Sequence, residues 1–428
     1  MMTTTAASFA PPRGMRDFYP EDMALRQRIF DAWRQAAAAF AFEPYDACVV
    51  ESLDLLKRKA GEEIVDQIYA FQDKSGRDLA LRAEMTPTLA RMVAARQGAL
   101  TFPLKWYAIA QCFRYERMTL GRKREHYQWN LDIVGEPSVA AEVEVLTCAA
   151  RALALLGLGA EHYRIRFSSR ALLAELLARA GIPPPQHPAV FMALDKRGKT
   201  TPAEIETLLR QAGLDAAAVR SAFALLDIST LDQALAAAGG ATPVGETLRR
   251  FLTYAEACEL APLLSFDISV IRGLSYYTGI VFEAFDCQRR FRAILGGGRY
   301  DNLMGEIGGK PATGVGLGFG DVVIAELLQS LGLSRAAEPT VDLAIGFMQE
   351  EQRSAALRLA AAERRAGRRV DLALAPEKAR KFFSRVGRGQ CREAVYLGPD
   401  DLAAGAARVK NLTRHTERQI PLPPAAPA

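Results

Sequence analysis

Apolar residues recur along this chain with changing periods, and the changes mark out its elements. After the acidic, proline-marked start "PEDMALRQ", Ile29, Trp33, Ala37 and Phe40 fall at helical spacing, which predicts an amphipathic helix of about five turns. Strand-like segments follow in "EPYDACVVES" and "DQIYAFQDKSGRDLALRAE", where "DKSGR" supplies the turn residues of a hairpin. A further pair flanks the basic stretch of "AQCFRYERMTLGRKREHYQWNLD", and "SVAAEVEVLTCAARALALLGLG" reads as a long helix. Residues 170–260 then become rich in Ala and Leu, with few strand formers and a triple-proline break at 183–185, so a mostly helical insertion is expected. Strand signals return in "LLSFDISVIRGLSYYTGIVFEAF" and "RRFRAILGGGRYDNL", followed by a glycine-rich strand and the helix "DVVIAELLQSLG". Beyond the linker "LSRAAEPT", the segments "VDLAIGF", "EEQRSAALRLAAAERRAG", "RRVDLAL" and "REAVYLG" alternate as β-α-β units do. The tail "IPLPPAAPA" is expected to be disordered, and no internal repeat is visible.

The length of 428 residues implies more than one domain. No apolar run approaches the roughly 18 residues of a membrane span, and the opening "MMTTTAASFAPPRG" lacks the layout of a signal peptide, so a cytoplasmic protein without membrane partners is expected. The six cysteines lie far apart with no C-x-x-C pair, which points to buried free thiols and not to a zinc site or disulfide framework. Charge is unevenly spread. From Thr340 to Ala428 there are 16 Lys and Arg against 10 Asp and Glu, while the whole chain carries only +5, so the remainder is close to neutral. A basic module on a near-neutral body suits a polyanionic partner such as a nucleic acid.

Several chemistries drop out. "GEIGGKPAT" has Pro311 where a phosphate loop needs Ser or Thr, and "GVGLGFGD" fails the dinucleotide pattern. The four histidines show no i, i+4 pair, and there is no G-x-S-x-G elbow. What remains is an excess of polar and charged residues inside apparent strands. Arg82, Glu84 and Thr86 share one strand face by period two, and Arg114, Glu116, Gln128 and Asp132 stand in strand-like surroundings joined by a loop with Arg117, Arg122, Lys123 and Arg124. Burying so many charges is costly unless they pair with one another or with a ligand. Cross-strand ion pairs would explain one such segment; three together favour a charged ligand. Glu84, Thr86 and Gln128 suit an α-ammonium group, Asp132 and the Tyr277 hydroxyl suit the two nitrogens of an imidazole, and arginines suit phosphates.

These segments resemble class II aminoacyl-tRNA synthetases, and specifically the histidyl-tRNA synthetase family, over almost the whole chain. "PPRGMRDFYP" resembles its N-terminal signature, "FEPYDACVVES" with the preceding helix its motif 1, "LRAEMT" its L-R-P-E-x-T element, and "FRYERMTLGRKREHYQWNLD" its motif 2. "RGLSYYTGIVFE" is similar to the histidine-specific signature, "LGGGRYDNLMGEIGG" continues the match, and "AVYLGPDDLAAGAARVKNL" resembles the anticodon-binding domain.

The resemblance implies an α+β fold: a class II antiparallel sheet flanked by helices over 1–169 and 261–333, a helical insertion over 170–260, an α/β anticodon-binding domain over 339–422 and a disordered tail over 423–428. It implies a ligase that activates L-histidine with ATP and passes it to tRNA(His), as a homodimer using Mg²⁺. Arg272 and Arg114 are then the catalytic arginines at the α-phosphate, with Glu116 and Arg122 also on ATP. Glu84, Met85, Thr86, Gln128, Asp132, Tyr276 and Tyr277 are then the histidine-binding residues. A turn or bulge is expected at Gly273, since period two would otherwise part Arg272 from Tyr277. One departure stands out: "GVGLGFGDVVIAELL" has Val322 where motif 3 carries an arginine, as in a variant type of the family, and Arg122, Arg124 or Arg299 are candidate substitutes. Two other readings stay open. One is a catalytically silent paralogue serving as the regulatory subunit of ATP phosphoribosyltransferase, which usually lacks the anticodon-binding domain; the other is an RNA-binding module without catalysis.

Overall fold

The computed structural model describes residues 9–59, 65–119, 121–197, 200–271, 276–334, 341–388 and 391–424. The chain divides into two compact units, Met1–Ser334 and Arg335–Ala428. In the first, the strands in chain order are β1 Glu43–Pro44, β2 Val50–Ser52, β3 Ala70–Gln72, β4 Asp78–Leu81, β5 Leu104–Phe113, β6 Glu125–Val134, β7 Tyr163–Ser169, β8 Leu264–Phe266, β9 Ile280–Asp286, β10 Leu295–Arg299 and β11 Gly314–Gly320. Eight of them form one sheet in the order β1-β5-β6-β11-β10-β9-β7-β8. Its interior is antiparallel, whereas β1 with β5 and β7 with β8 pair parallel at the edges.

The period of two decides what each face of this sheet does. On β6, Trp129, Leu131 and Ile133 point into the apolar core, where Trp33 of the helix Pro20–Ala39 stacks on Trp129 at 6.0 Å and meets Phe319 of β11 edge-on at 5.2 Å. Each such aromatic side chain contributes roughly 1.5–3 kcal/mol by leaving water. The alternate residues, His126, Gln128, Asn130 and Asp132, therefore stand on the opposite face.

Among the described residues of 170–260 there are six α-helices: Arg170–Arg179, His187–Leu194, Pro202–Gln211, Ala216–Leu225, Leu231–Ala237 and Pro243–Ala257. Ser169, Thr201, Asp215, Thr230 and Thr242 each cap one of them by accepting a backbone N–H, which explains how so Ala-rich a stretch is cut into short helices. Their core is continuous with that of the sheet, Phe251 packing on Phe167 at 5.2 Å.

Arg82, Glu84 and Thr86 do not share a strand face. β4 ends at Leu81, and Thr86 is the first residue of the helix Thr86–Arg96, started by Pro87, which the helix tolerates in its first turn. Arg82 is instead a buried brace that donates to the carbonyls of Gln111 and Ala47 at 2.9 Å each.

The second unit has β12 Val341–Phe347, β13 Val370–Leu372, β14 Cys391–Leu397, β15 Ala406–Asn411 and β16 Glu417–Pro421, in the order β13-β12-β14-β15-β16. The first three are parallel and the last two form an antiparallel extension. The expected tail starts too early: Ile420 pairs with Ala407, and Ile420 and Leu422 pack on the unit's own core. Residues 425–428 lie outside the described residues.

Candidate active site

The polar face of β6 looks onto two glycine-rich strands, and the glycines make room for it. A Cβ at Gly316 would lie 1.9 Å from Asp132 Oδ1, one at Gly318 2.1 Å from Gln128 Nε2, and one at Gly314 2.3 Å from the Tyr300 ring. Because these three successive alternate positions lack side chains, the strand leaves room above it for the side chains of Asp132, Gln128 and Tyr300.

Into it projects a connected set of phenols and carboxylates. Tyr300 donates to Asp132 Oδ1 at 2.6 Å, and Tyr276 donates to Glu84 Oε2 at 3.0 Å. The two tyrosine rings meet edge-on at 6.0 Å, and Tyr277 packs on Tyr276 at 4.9 Å. Asp132 is buried, and its second oxygen has no hydrogen-bond partner. Burial pushes its carboxyl up to about 7 against the opposing effect of the Tyr300 hydrogen bond. Burial beside Glu84 and Tyr277 likewise holds the Tyr276 phenol protonated. Met85 is fully buried with Ala108, Ala110 and Cys112, and Cys112 Sγ lies 4.0 Å from Gln128 Oε1.

The β5–β6 hairpin brings its basic loop to the same segment. Arg114 Nε donates to the Ala83 carbonyl at 2.9 Å, which ties the guanidinium to the backbone of that segment, while the backbone of Arg114 pairs with that of Arg124 at 3.0 Å. Within the loop Arg122 forms an ion pair with Glu116 at 2.6 Å, and the Arg124 guanidinium lies 3.8 Å over the Tyr115 ring. His126 follows on β6; burial and the charges of Arg114 and Arg16 push its imidazole down to about 3, so it is neutral at physiological pH. Arg272 and the expected turn at Gly273 lie outside the described residues.

Arg299 is not available as a phosphate clamp. Its guanidinium is buried against Glu142 in a bidentate pair at 2.7 and 2.6 Å and also donates to the Ser138 carbonyl at 2.9 Å, so its donors are spent on the fold. The residue that does reach the start of the helix Asp321–Ser330 is Arg16, which bridges Glu125 at 2.5 Å and Asp321 at 3.0 Å. Asp321 also accepts from the Tyr127 backbone N–H at 2.9 Å, and burial outweighs Arg16 to push its carboxyl up to about 6. Sequence reasoning passed over Arg16 and Tyr300, although each stands inside a quoted motif, "PPRGMRDFYP" and "LGGGRYDNL". Among the described residues no group of three His, Cys, Asp or Glu is placed to hold a metal, and no helix is long and apolar enough to cross a membrane.

The family described as histidyl-tRNA synthetase matches residues 14–321. The chloroplastic/mitochondrial histidine–tRNA ligase of Arabidopsis thaliana is 40% identical over 412 residues, covering 96% of this chain and 85% of that one. The histidine–tRNA ligase of Opitutus terrae is 40% identical over 422 residues, covering 97% of this chain and 96% of its own. Among solved structures, histidyl-tRNA synthetase from Nostoc sp. PCC 7120 superposes with a TM-score of 0.79 at 22% identity over 97% of each chain.

Proposed function

Because the chain belongs to the histidyl-tRNA synthetase family, we propose that the hollow over its glycine-rich strands is where histidine is activated. The protein is an aminoacyl-tRNA ligase that joins histidine to tRNA with ATP as energy source. The observation that supports this location best is the buried Asp132 carboxylate, one oxygen held by Tyr300 and the other without a partner, on the same face as Gln128 and linked through Tyr276 to Glu84.

Histidine's α-ammonium group is taken by Glu84, Thr86 and Gln128, and its imidazole by Asp132 with Tyr276 and Tyr277 around it. Met85 closes the floor. The histidine carboxylate attacks the α-phosphorus of ATP, the bond to the β-phosphate oxygen breaks, and pyrophosphate leaves. Negative charge grows on the α-phosphate oxygens as this happens, and Arg114 and Arg272 stabilise it more in the transition state than before it. Arg114 is suited to this because the Ala83 carbonyl already orients it, so little reorganisation is needed. Arg122 serves the γ-phosphate and Glu116 the adenine or a magnesium-bound phosphate, their mutual ion pair exchanging for contacts with ATP. Glu116 is the carboxylate this loop would offer to Mg²⁺, which would supply charge neutralisation at the phosphates and, keeping most of its waters, would not need a dedicated protein cage. In the second step a hydroxyl of the 3′-terminal ribose of tRNA(His) attacks the acyl carbon and AMP leaves.

Val322 in place of the motif 3 arginine marks a variant type, in which Arg122 and Arg124 of the hairpin loop remain as candidates to clamp ATP. A cytoplasmic homodimer fits an apolar face on the small β2-β4-β3 sheet, where exposed Val50 and Phe71 line up with Leu79 and Leu81. The regulatory-subunit reading has less support, since relatives named histidine–tRNA ligase match 96–97% of this chain, basic second unit included.

The test is histidine-dependent exchange of pyrophosphate into ATP. Wild type exchanges, and Arg114→Ala or Arg272→Ala lowers the rate by about 10²–10³-fold or more, the cost of one transition-state donor. Histidine binding without exchange in the wild type would instead identify a regulatory subunit.

A further inference from the structure

The second half of the basic loop between β5 and β6 is held from outside the hairpin. At its end the Arg124 N–H donates to the Gly14 carbonyl at 2.9 Å. Gly14 stands at φ +89°, and a Cβ there would lie 2.8 Å from Arg124 Cγ and 2.9 Å from Cδ, so a side chain at this position would displace the stem of Arg124. One residue on, Glu125 opens β6 with a buried carboxylate, Oε1 accepting from Arg16 Nε at 2.5 Å and Oε2 from Gln111 Nε2 at 3.1 Å. Nearer the tip, the Gly121 N–H donates to Glu326 Oε1 at 3.2 Å. Glu326 belongs to the helix Asp321–Ser330, and Arg16 reaches the same helix through Asp321 Oδ2 at 3.0 Å, while Asp321 Oδ1 accepts the Tyr127 N–H at 2.9 Å.

Arg16 is thus the joint between the N-terminal segment, the base of the loop and the start of the helix. A role in stability alone accounts for this poorly. One guanidinium faces two carboxylates whose side chains are only 2% and 4% exposed, and the cost of taking these charges out of water offsets much of the attraction, so apolar side chains of similar volume would hold the fold as well. What apolar groups could not supply is direction. A planar guanidinium forked between two carboxylates fixes three segments in one relative register. The side chain that this register aims is Arg124, a candidate phosphate clamp in a chain that has Val322 where motif 3 carries an arginine.

Resting on the functional reading above, we infer that Arg16 is a positioning residue for ATP: by joining Glu125 to Asp321 it holds the base of the loop so that the Arg124 guanidinium meets the nucleotide's phosphates without reorganising. Arg16 itself touches no substrate. Its contribution is read in ATP affinity and not in histidine affinity, because the groups assigned to histidine lie on other segments or farther along β6.

The test measures KM for ATP and for histidine in pyrophosphate exchange for four variants of the full chain. Arg16→Lys keeps one positive charge but cannot fork between two carboxylates. Arg16→Met combined with Glu125→Gln and Asp321→Asn removes all three charges and keeps acceptors for Gln111 and for the Tyr127 N–H. Arg124→Ala is made alone and together with Arg16→Lys. Arg16→Lys is expected to raise the KM for ATP by about tenfold and to leave that for histidine within about twofold. The uncharged trio is expected to melt within a few degrees of the wild type and still to show the raised KM for ATP. On the Arg124→Ala background, Arg16→Lys is expected to add less than about twofold, because its effect runs through that side chain. An unchanged KM for ATP in Arg16→Lys, an equal rise in both KM values, an uncharged trio with normal ATP affinity, a full tenfold step on the Arg124→Ala background, or failure of both Arg16 variants to fold would each leave Arg16 a structural brace and overturn the assignment. A wild type without histidine-dependent exchange would overturn the functional reading and this inference with it; wild-type exchange with any of those results overturns this inference alone.

Discussion

Asp132 and Arg299 are both buried charged residues near the glycine-rich strands, yet their surroundings give them opposite tasks. Arg299 is paired in full with Glu142, so truncating it leaves a carboxylate buried without a partner. Arg299→Ala is expected to cost about 3–5 kcal/mol in denaturant unfolding while the KM for ATP of the folded fraction stays as it was. A variant of normal stability with a raised KM for ATP would restore Arg299 as a phosphate clamp. Asp132 is left half satisfied, and its carboxyl rises from an ordinary 3.8 to about 7. Between those values the unfolded chain is ionised while the folded one holds the proton, so the unliganded protein loses stability as pH climbs through that window and stays at the lower level above it. Asp132→Asn keeps an acceptor for Tyr300 and removes the charge. It is expected to raise the Tm of the unliganded protein by more at pH 8 than at pH 5, a gain on the order of a few kcal/mol at most, while histidine-dependent exchange falls by about 10²-fold or more. Thermal unfolding at the two pH values checks this, and a gain independent of pH would mean that the buried carboxylate is already compensated.

At the scale of elements the glycine strands decide whether the hollow exists. In the sequence "GVGLGFG" is legible as a strand that fails the dinucleotide pattern, but its purpose is not, because a missing side chain acquires meaning only from the atom that occupies its space. That atom is Asp132 Oδ1 for Gly316 and Gln128 Nε2 for Gly318, each on a partner strand far away in sequence. Gly316→Ala is therefore expected to displace Asp132 and raise the KM for histidine by about tenfold or more, while the KM for ATP changes little. Equal loss for both substrates in steady-state exchange would show a collapsed sheet and not a filled pocket. The same limit explains Glu84 and Thr86. Polar residues two apart read as one strand face, whereas the Thr-Pro pair that begins the helix Thr86–Arg96 was the stronger local signal. Polarity marked the right residues; only the ladder shows how they converge.

At the scale of the whole molecule, the two units were legible because they differ in composition, and that difference is also a statement about partners. Each has its own apolar core, with Leu343, Ile345, Phe347, Val395 and Leu397 closing the second. The surplus of six positive charges lies from Thr340 onward, whereas every residue assigned to histidine and ATP lies in the first unit. Activation needs no polyanion larger than ATP, but charging must hold a tRNA whose phosphates release counterions when bound, and that release weakens steeply with salt. Deleting residues 335–428 is thus expected to leave histidine-dependent exchange within about threefold of the intact chain and to raise the KM for tRNA by about tenfold or more. The intact protein's KM for tRNA should climb between about 50 and 200 mM salt, and the truncated protein's should climb less, because fewer phosphates are neutralised. A parallel salt dependence of the two forms would move the tRNA contacts onto the first unit, where Arg117, exposed on the β5–β6 loop, would be the next residue to test.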